Sequence, residues 1–360
     1  MAIPLFATSL ARYQPEVAGK LAQVAESGRW ILGPEVEEFE REFARYLGVE
    51  HCIGVGNGTD AIMIALRALG VEPGDEVIVP SFTFYATAEA VVNAGATPVF
   101  CDIDPETFCV TAETVEPKVT ERTRAIVPVH LFGNVAPVDE LRRFGRPVLE
   151  DAAQAAGARQ DLAKAGSLGS AATFSFFPSK NLPCLGDGGA IVTDHDAIAD
   201  RARRLRFHGS RDKATFTEVG YNSRLDELQA GVLRVFLNEL DGWNRKRRAT
   251  AVAYERLGLA DVPGMRLPAE APGAEHVYHL YVTRHPEPAE LERRLKEKGI
   301  GARRYYTRPV HLQPSMERFG GASLDLPGTA EAARTNLALP MGTDLTEEQL
   351  AEVVAACASG

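Results

Sequence analysis

Lys180 stands where lysines are rarely found. It closes the segment Thr173-Phe174-Ser175-Phe176-Phe177-Pro178-Ser179-Lys180-Asn181, and Gly186-Asp187-Gly188-Gly189-Ala190 follows. The flanks read as two apolar strands joined by a glycine-rich link. Partial burial there lowers an ammonium's pKa and frees the amine to add to a carbonyl. Asp151 lies in Leu149-Glu150-Asp151-Ala152-Ala153-Gln154, just past the end of a short apolar strand. Ligands bind at that end of strands in open α/β sheets, and a carboxylate there can hold a proton on a ring nitrogen or bind a metal. A third segment, Gly54-Val55-Gly56-Asn57-Gly58-Thr59-Asp60-Ala61, follows a strand and opens a helix. Its glycines admit close backbone approach, its first-turn N–H groups form an anion site, and Thr59 adds a hydroxyl. Taken singly, each segment also has a plain structural reading: a surface lysine at a strand end, a helix N-cap, a tight strand-to-helix turn.

Together the three are more specific. A carboxylate follows the anion-binding helix start by about 90 residues, and the lysine follows it by about 30. These supply the contacts that pyridoxal phosphate needs at its phosphate, pyridine nitrogen and aldehyde, and this cofactor works as an electron sink tuned through its ring nitrogen. The pattern Gly56-x-Gly58-x-x-Ala61 also matches a dinucleotide fingerprint, which would suit a nicotinamide dehydrogenase. No clear acidic residue closes a second strand about 20 residues on, and that reading leaves Lys180 without a task.

Holding these segments together requires a framework, and the chain alternates in the way that builds one. Strands are expected over 52–55, 76–79, 97–101, 125–129 and 147–149, with helices over 35–47, 59–69, 83–94 and 138–144 between or before them. Such alternation implies right-handed crossovers and a mainly parallel sheet with helices on both faces. Further strands over 172–176 and 189–193 precede helices over 196–207 and 225–240, and another helix begins near Asn244. The tail carries a strand over 279–283 and helices over 289–298, near Ala330 and near Glu347. The fold class is therefore α/β. With 360 residues, 45% of them hydrophobic, two domains are favoured: a large cofactor-binding domain over 1–240 and a smaller C-terminal α/β domain over 241–360. The net charge of −10 argues against a nucleic-acid partner. The basic runs 201–211 and 245–248 read as solvated helix faces. Five scattered cysteines without a C-x-x-C pair suit a reducing compartment, with neither a structural zinc site nor a disulfide framework. No apolar stretch reaches the roughly 20 residues that cross a bilayer, so a soluble, cytoplasmic protein is expected.

At this level of detail the chain resembles the DegT/DnrJ/EryC1/StrS family of sugar aminotransferases. The resemblance rests on Ser27-Gly28-Arg29-Trp30-Ile31-Leu32-Gly33-Pro34, on the segments around Gly58, Asp151, Lys180 and Gly188, and on Gly220-Tyr221-Asn222-Ser223-Arg224-Leu225-Asp226-Glu227-Leu228-Gln229-Ala230, all in family order. It implies fold type I and pyridoxal 5′-phosphate as cofactor. By position it implies that Lys180 forms the Schiff base and moves the proton, and that Asp151 pairs with the ring nitrogen. Phe84 would lie against the ring and Gln154 near its hydroxyl, and Gly58, Thr59 and Ser175 would contact the phosphate. Asn222 would reach the phosphate of the partner subunit, which requires a homodimer with shared sites. Tyr306 and His311 would line the nucleotide-sugar site. No metal is implied. The amino donor would be an amino acid, usually L-glutamate, and the acceptor a keto group on a nucleotide-linked sugar; the run from Asn222 to Asn244 is most similar to members that aminate C3. A lysine at position 180 argues against the dehydrating branch, which carries histidine there. The alternative is a catalytically silent nucleotide-sugar-binding or regulatory protein of the same fold.

Overall fold

In the computed structural model, which describes residues 2–359, seven strands form the frame. They are β1 (His51–Val55), β2 (Glu76–Pro80), β3 (Thr97–Cys101), β4 (Thr123–Ile126), β5 (Leu149–Asp151), β6 (Ala171–Ser175) and β7 (Gly189–Thr193). Ladders join them in the orders 3-2-4 and 5-6-7-1. Parallel bridges from Ile126 to Val148 and from Val129 to Asp151 link β4 to β5. Only β7 runs antiparallel to its neighbours, so the sheet is mainly parallel, as the alternation implies. Asp151 is the last residue of β5 itself, not the first beyond it. Met1 and Gly360, the outer limits of the two expected domains, lie outside the described residues.

Both faces of the sheet are covered because successive side chains of a strand point oppositely. Val192 packs with Phe39, Phe43 and Phe174 in one core, while Ile191 joins Ile53, Ile64 and Leu205 in another. The first core is built by α2 (Pro34–Leu47), after α1 (Gln14–Ser27). In α2 the buried residues Val36, Phe39, Phe43 and Leu47 recur at helical spacing along one face. Pro34 opens it, where a missing N–H costs nothing, and Gly48 ends it in the left-handed conformation. Phe43 meets Phe174 and Phe176 edge-on at 5.0 and 5.6 Å, so α2 braces the strand that leads to Lys180. The second core holds α3 (Gly58–Ala68), buried almost all round, and α5 (Asp196–Leu205). Between them in sequence, α4 (Ala86–Asn93) begins three residues later than the apolar pattern suggests.

The helix expected over 225–240 is α6 (Glu227–Leu237), and the one expected to begin near Asn244 is α7 (Leu240–Arg256), which starts four residues earlier. The Asn238 amide turns back onto the Arg234 carbonyl at 3.2 Å and ends α6. Beyond α7 lie β8 (Tyr281–Arg284), α8 (Pro288–Glu297), α9 (Pro327–Thr335), β9 (Asn336–Leu339) and α10 (Glu347–Ala358). Strand β9 has no counterpart in the sequence expectations; four residues are too few to show a period, and its pairing with β8 sets it. The N-terminal segment packs here too. Ile3 bridges Ile300 and Phe6 bridges Met341, and Ile3 is buried with Tyr254, Leu295 and Leu339. The basic runs are not wholly solvated. Arg206 and Arg247 are buried, because four or more consecutive helical residues sweep the whole circumference and at least one must face inward. Among the described residues, no helix is long and apolar enough to cross a membrane.

One carboxylate holds two distant motifs together. Glu227, at the start of α6, is buried and accepts the N–H groups of Gly33, Glu35 and Val36 at 2.8, 3.0 and 2.9 Å. These are the orphan donors of the N-terminus of α2. Glu227→Ala should therefore lower stability by about 2–3 kcal/mol, the order expected when charged hydrogen bonds are lost in the interior. Urea denaturation should show a lower midpoint at unchanged slope, and a midpoint equal to that of the parent protein would refute the capping role.

Candidate active site

Asp151 and Lys180 come together at the carboxyl end of the sheet because β5 and β6 are adjacent and parallel, with Asp151 opposite Thr173. The Asp151 carboxylate is buried. One oxygen accepts the Thr87 hydroxyl at 2.8 Å and the other the Ala153 N–H at 3.2 Å. Burial raises its carboxyl above the ordinary carboxylate range, and the Thr87 hydroxyl, the Ala153 N–H and the Lys180 charge work against that rise. Lys180 is half-buried, its backbone held by the Phe177 carbonyl at 2.8 Å. Burial pushes its ammonium down to about 8, with Asp151 pulling the other way. A basic amine and a carboxylate starved of positive charge thus share one dry corner.

The remaining expected residues fall around this pair to different degrees. Gln154 is buried, and the Phe132 N–H donates to its Oε1 at 2.7 Å. That contact fixes the amide, so Nε2 is turned to the Tyr306 hydroxyl at 3.4 Å. Tyr306 lies among Phe82, Phe84 and Phe132, with ring centroids 6.0, 6.2 and 6.4 Å away. Phe84 is 56% exposed, and its carbonyl accepts the Thr87 N–H at 3.3 Å. The aromatic ring and the hydroxyl that holds Asp151 therefore belong to one turn. Gly58 opens α3 against Ser175; a Cβ on it would sit 2.7 Å from the Ser175 Cβ. Asn57 caps that helix by accepting the Asp60 N–H at 2.8 Å, and Thr59 is half-buried beside it. Asn222 is exposed within its own chain and bridges Phe207. The His311 Nδ1 is engaged by the Ser81 hydroxyl, and the residue borders a separate cavity of about 420 Å³ with Thr307, Leu324 and Arg334. A single chain therefore gathers Lys180, Asp151, Gln154, Tyr306 and Phe84, and leaves Asn222 and His311 elsewhere.

Two residue sets escaped the sequence reading. Thr87 is one; its only signal is its position one helical turn after Thr83, whose hydroxyl it meets at 3.2 Å. The other is Glu150 with His130. Glu150 accepts the N–H groups of Gly166, Leu168 and Gly169 at 2.7–2.8 Å and faces the His130 Nε2 at 2.8 Å. The Ala136 N–H donates to the His130 Nδ1 at 3.0 Å, so Nε2 carries the ring proton and donates to Glu150. Nothing local in the sequence marks this pairing.

The site fits pyridoxal phosphate on three counts. Among the described residues, no cation contacts the buried Asp151 carboxylate, and a protonated ring nitrogen would supply one. The Lys180 amine is basic at moderately alkaline pH. The first turn of α3 presents N–H groups beside Ser175 at a place where even a methyl group on Gly58 would collide. Among the described residues, no cluster of three or more His, Cys, Asp or Glu side chains is gathered as a metal site.

Comparison with known proteins agrees with this geometry. Residues 12–358 match the DegT/DnrJ/EryC1/StrS aminotransferase family. The chain is 46% identical to the dTDP-3-amino-3,4,6-trideoxy-alpha-D-glucose transaminase of Streptomyces venezuelae, over 94% of this chain and 90% of that protein. It is 48% identical to a pleiotropic regulatory protein of Geobacillus stearothermophilus, over 95% and 93%. The crystal structure of S. venezuelae DesV in complex with a ketimine intermediate superimposes with a TM-score of 0.96 at 44% identity, covering 99% of this chain and 98% of that one.

Competitive acetylation of the cofactor-free protein should give Lys180 a midpoint near pH 8, against 10.5 for a solvated lysine. The folded value lies below the unfolded one. Between those limits the unfolded chain binds more protons, and the stability of the cofactor-free fold should rise with pH. Asp151→Asn removes the charge that opposes burial, so the midpoint should fall further. A midpoint at 10 or above would mean that the lysine is solvated.

Proposed function

The chain belongs to the DegT/DnrJ/EryC1/StrS aminotransferase family, and on that premise we propose that it moves an amino group from L-glutamate onto C3 of a 3-keto nucleotide-linked sugar. Its cofactor is pyridoxal 5′-phosphate. The observation that carries this reading is the pairing of a half-buried lysine, lowered to about 8, with the buried carboxylate of Asp151. The choice of C3 is supported by the 3-amino sugar after which the 46% identical S. venezuelae transaminase is named. Lys180, Asp151, Gln154, Phe84, Gly58, Thr59 and Ser175 would hold the cofactor, with Tyr306 and His311 toward the sugar nucleotide. The large domain takes residues 1–240 and the smaller one 241–360, onto which residues 3–7 are strapped. The protein works in the cytoplasm.

When bound, pyridoxal phosphate supplies a carbonyl that takes up the amine and a ring that accepts electrons. Asp151 would hold a proton at the ring nitrogen, and that positive charge would relieve the buried carboxylate. Lys180 would hold the cofactor through its amine. As a base whose pKa lies near 8, the same amine is suited to carrying a proton at the reacting carbon. The first turn of α3 and Ser175 would receive the phosphate. Gln154, with its carbonyl held by Phe132, donates toward the ring hydroxyl. Nucleotide binding, remote from the reacting carbon, orients the sugar.

Asn222 belongs to a second copy of the site. The single chain leaves apolar side chains exposed: Trp30, Ile31, Phe177, Leu185, Phe216 and Val219 are 44–85% exposed. That much apolar surface supports a homodimer in which Asn222 reaches the phosphate bound by the partner subunit. The similarity to a pleiotropic regulatory protein favours a silent, ligand-binding role as the second reading. The intact Lys180, Asp151 and Gln154 count against it, since binding alone needs no basic lysine beside the ring.

The purified protein should be yellow, and L-glutamate should bleach it; adding the keto-sugar nucleotide should restore the colour, with the new amine placed at C3 by NMR. An amine at C4 would refute the regiochemistry, and a colourless protein that binds nucleotide sugar without turnover would support the silent reading. Borohydride followed by peptide mapping should label Lys180. Asp151→Asn should keep the fold and slow turnover by roughly 10²-fold or more, the order seen when one electrostatic stabiliser is lost. For the dimer, Lys180→Ala and Asn222→Asp subunits are mixed under exchange. Each mixed dimer then holds one intact site, so activity should reappear. Mixed dimers that form and stay at the level of the single variants would exclude the shared site.

A further inference from the structure

A cavity of about 60 Å³ opens beside Lys180, between α7 and the N-terminal strap. Phe6, Thr8, Asn181, Trp243 and Arg247 line it with Lys180, and no acidic side chain among the described residues does. Arg247 is only 4% exposed. Its Nη1 donates to the Tyr278 and His279 carbonyls at 3.1 and 3.4 Å, and its Nη2 to the Thr8 hydroxyl at 3.3 Å. Its Nε is buried without a hydrogen-bond partner among the described residues. An arginine this deep ordinarily meets a carboxylate. This one meets neutral oxygens only, and the Nε–Nη2 edge, the side that takes a carboxylate through two parallel bonds, holds a single long contact. Burial pushes its guanidinium down to about 10, so it stays cationic at neutral pH.

We infer that Arg247 receives the α-carboxylate of the amino-acid donor. The inference rests on the proposed amino-acid donor, whose amine must displace Lys180 and so carries its carboxylate to the wall that Lys180 shares with Arg247. A carboxylate there supplies the missing anion. Thr8 then has a task. Its hydroxyl accepts the Thr343 N–H at 3.3 Å and lies against Arg247, so the strap steadies the guanidinium. The nucleotide sugar carries no carboxylate on the carbon that receives the amine. Arg247 therefore acts on the donor half of the cycle alone.

The test uses the holoenzyme, with Arg247→Gln and Arg247→Lys. Single-turnover bleaching by L-glutamate should need at least tenfold more glutamate in Arg247→Gln and an intermediate amount in Arg247→Lys, while the limiting rate falls less than threefold. Recovery of the colour from the amino form by keto-sugar nucleotide should stay within twofold of the parent, which a merely structural arginine would not ensure. The chain has two tryptophans. In a Trp30→Phe background Trp243 therefore reports on the cavity, and 2-oxoglutarate, which the colour-bearing form cannot convert, should change its fluorescence saturably. That titration should weaken at least tenfold in Arg247→Gln. Unchanged half-saturation by glutamate in a folded Arg247→Gln variant overturns the inference. Should that variant not fold, the parent decides: a Trp243 signal blind to millimolar 2-oxoglutarate overturns the inference, and a saturable response sustains it. If glutamate fails to bleach the parent protein, the donor assignment falls, and Arg247 is judged by the same titrations with whichever L-amino acid does.

Discussion

A buried carboxylate must be met by N–H groups, and that demand at Glu150 fixes the direction of its neighbour. Glu150 is fully buried, and three backbone N–H groups of the 166–169 loop and the His130 ring solvate it in place of water. Successive strand residues point to opposite faces. With Glu150 pinned beneath the sheet, Asp151 has to project to the other side, toward Thr87 and Lys180. The residue that does the chemistry is thus aimed by one that does none. The loop after β5 and the His130 turn are fixed by the same contacts.

The same device recurs where the chain must bring remote segments together. Glu227 gathers the first N–H groups of α2, which binds the Trp30 turn to the start of α6. Glu40 accepts the Gly54 N–H at 2.7 Å, and Arg206 pairs with Glu40 while donating to the Gly54 carbonyl at 2.7 Å. Strand β1 therefore enters the anion-binding turn along a fixed line. Ser223 closes the bracket by accepting the Gly56 N–H at 3.0 Å and donating to Asp60 at 2.6 Å. Each of these groups would destabilise the interior if left unpaired, so the arrangement is strongly coupled.

Against that rigid and well-satisfied background, the unsatisfied groups stand out. Among the described residues, Asp151 has hydrogen bonds but no cation in contact, and Arg247 has a bare Nε; Lys180 is lowered by burial. Lys180 links them: it is coupled to Asp151 on one side and shares a cavity with Arg247 on the other. A low-dielectric setting makes each of them costly in isolation and strongly attractive to a complementary group. The ring nitrogen, the aldehyde and the donor carboxylate are those groups in the reading proposed here.

The chain's own sequence determined the alternation of strands and helices, the glycine-rich turn before α3, and the candidacy of Asp151 and Lys180. Each depends on short-range spacing or on a residue type at odds with its surroundings, and both are visible in one dimension. Helix ends were less legible: apolar spacing runs through residues 237–240 and carries the first helix too far, while the break before α7 is made by the Asn238 side chain. Strand β9 could not be seen at all, since its four residues become a strand only by pairing with β8. Arg247 was read as part of a solvated basic run, because burial of one residue among four depends on which way the helix faces. Thr87, Glu150 and His130 acquire their roles from partners about 20 to 64 residues away, and the strap at Thr8 meets Arg247 across 239. Sequence spacing carries no record of such distances; only the packing of the sheet against its two flanking bodies decides them.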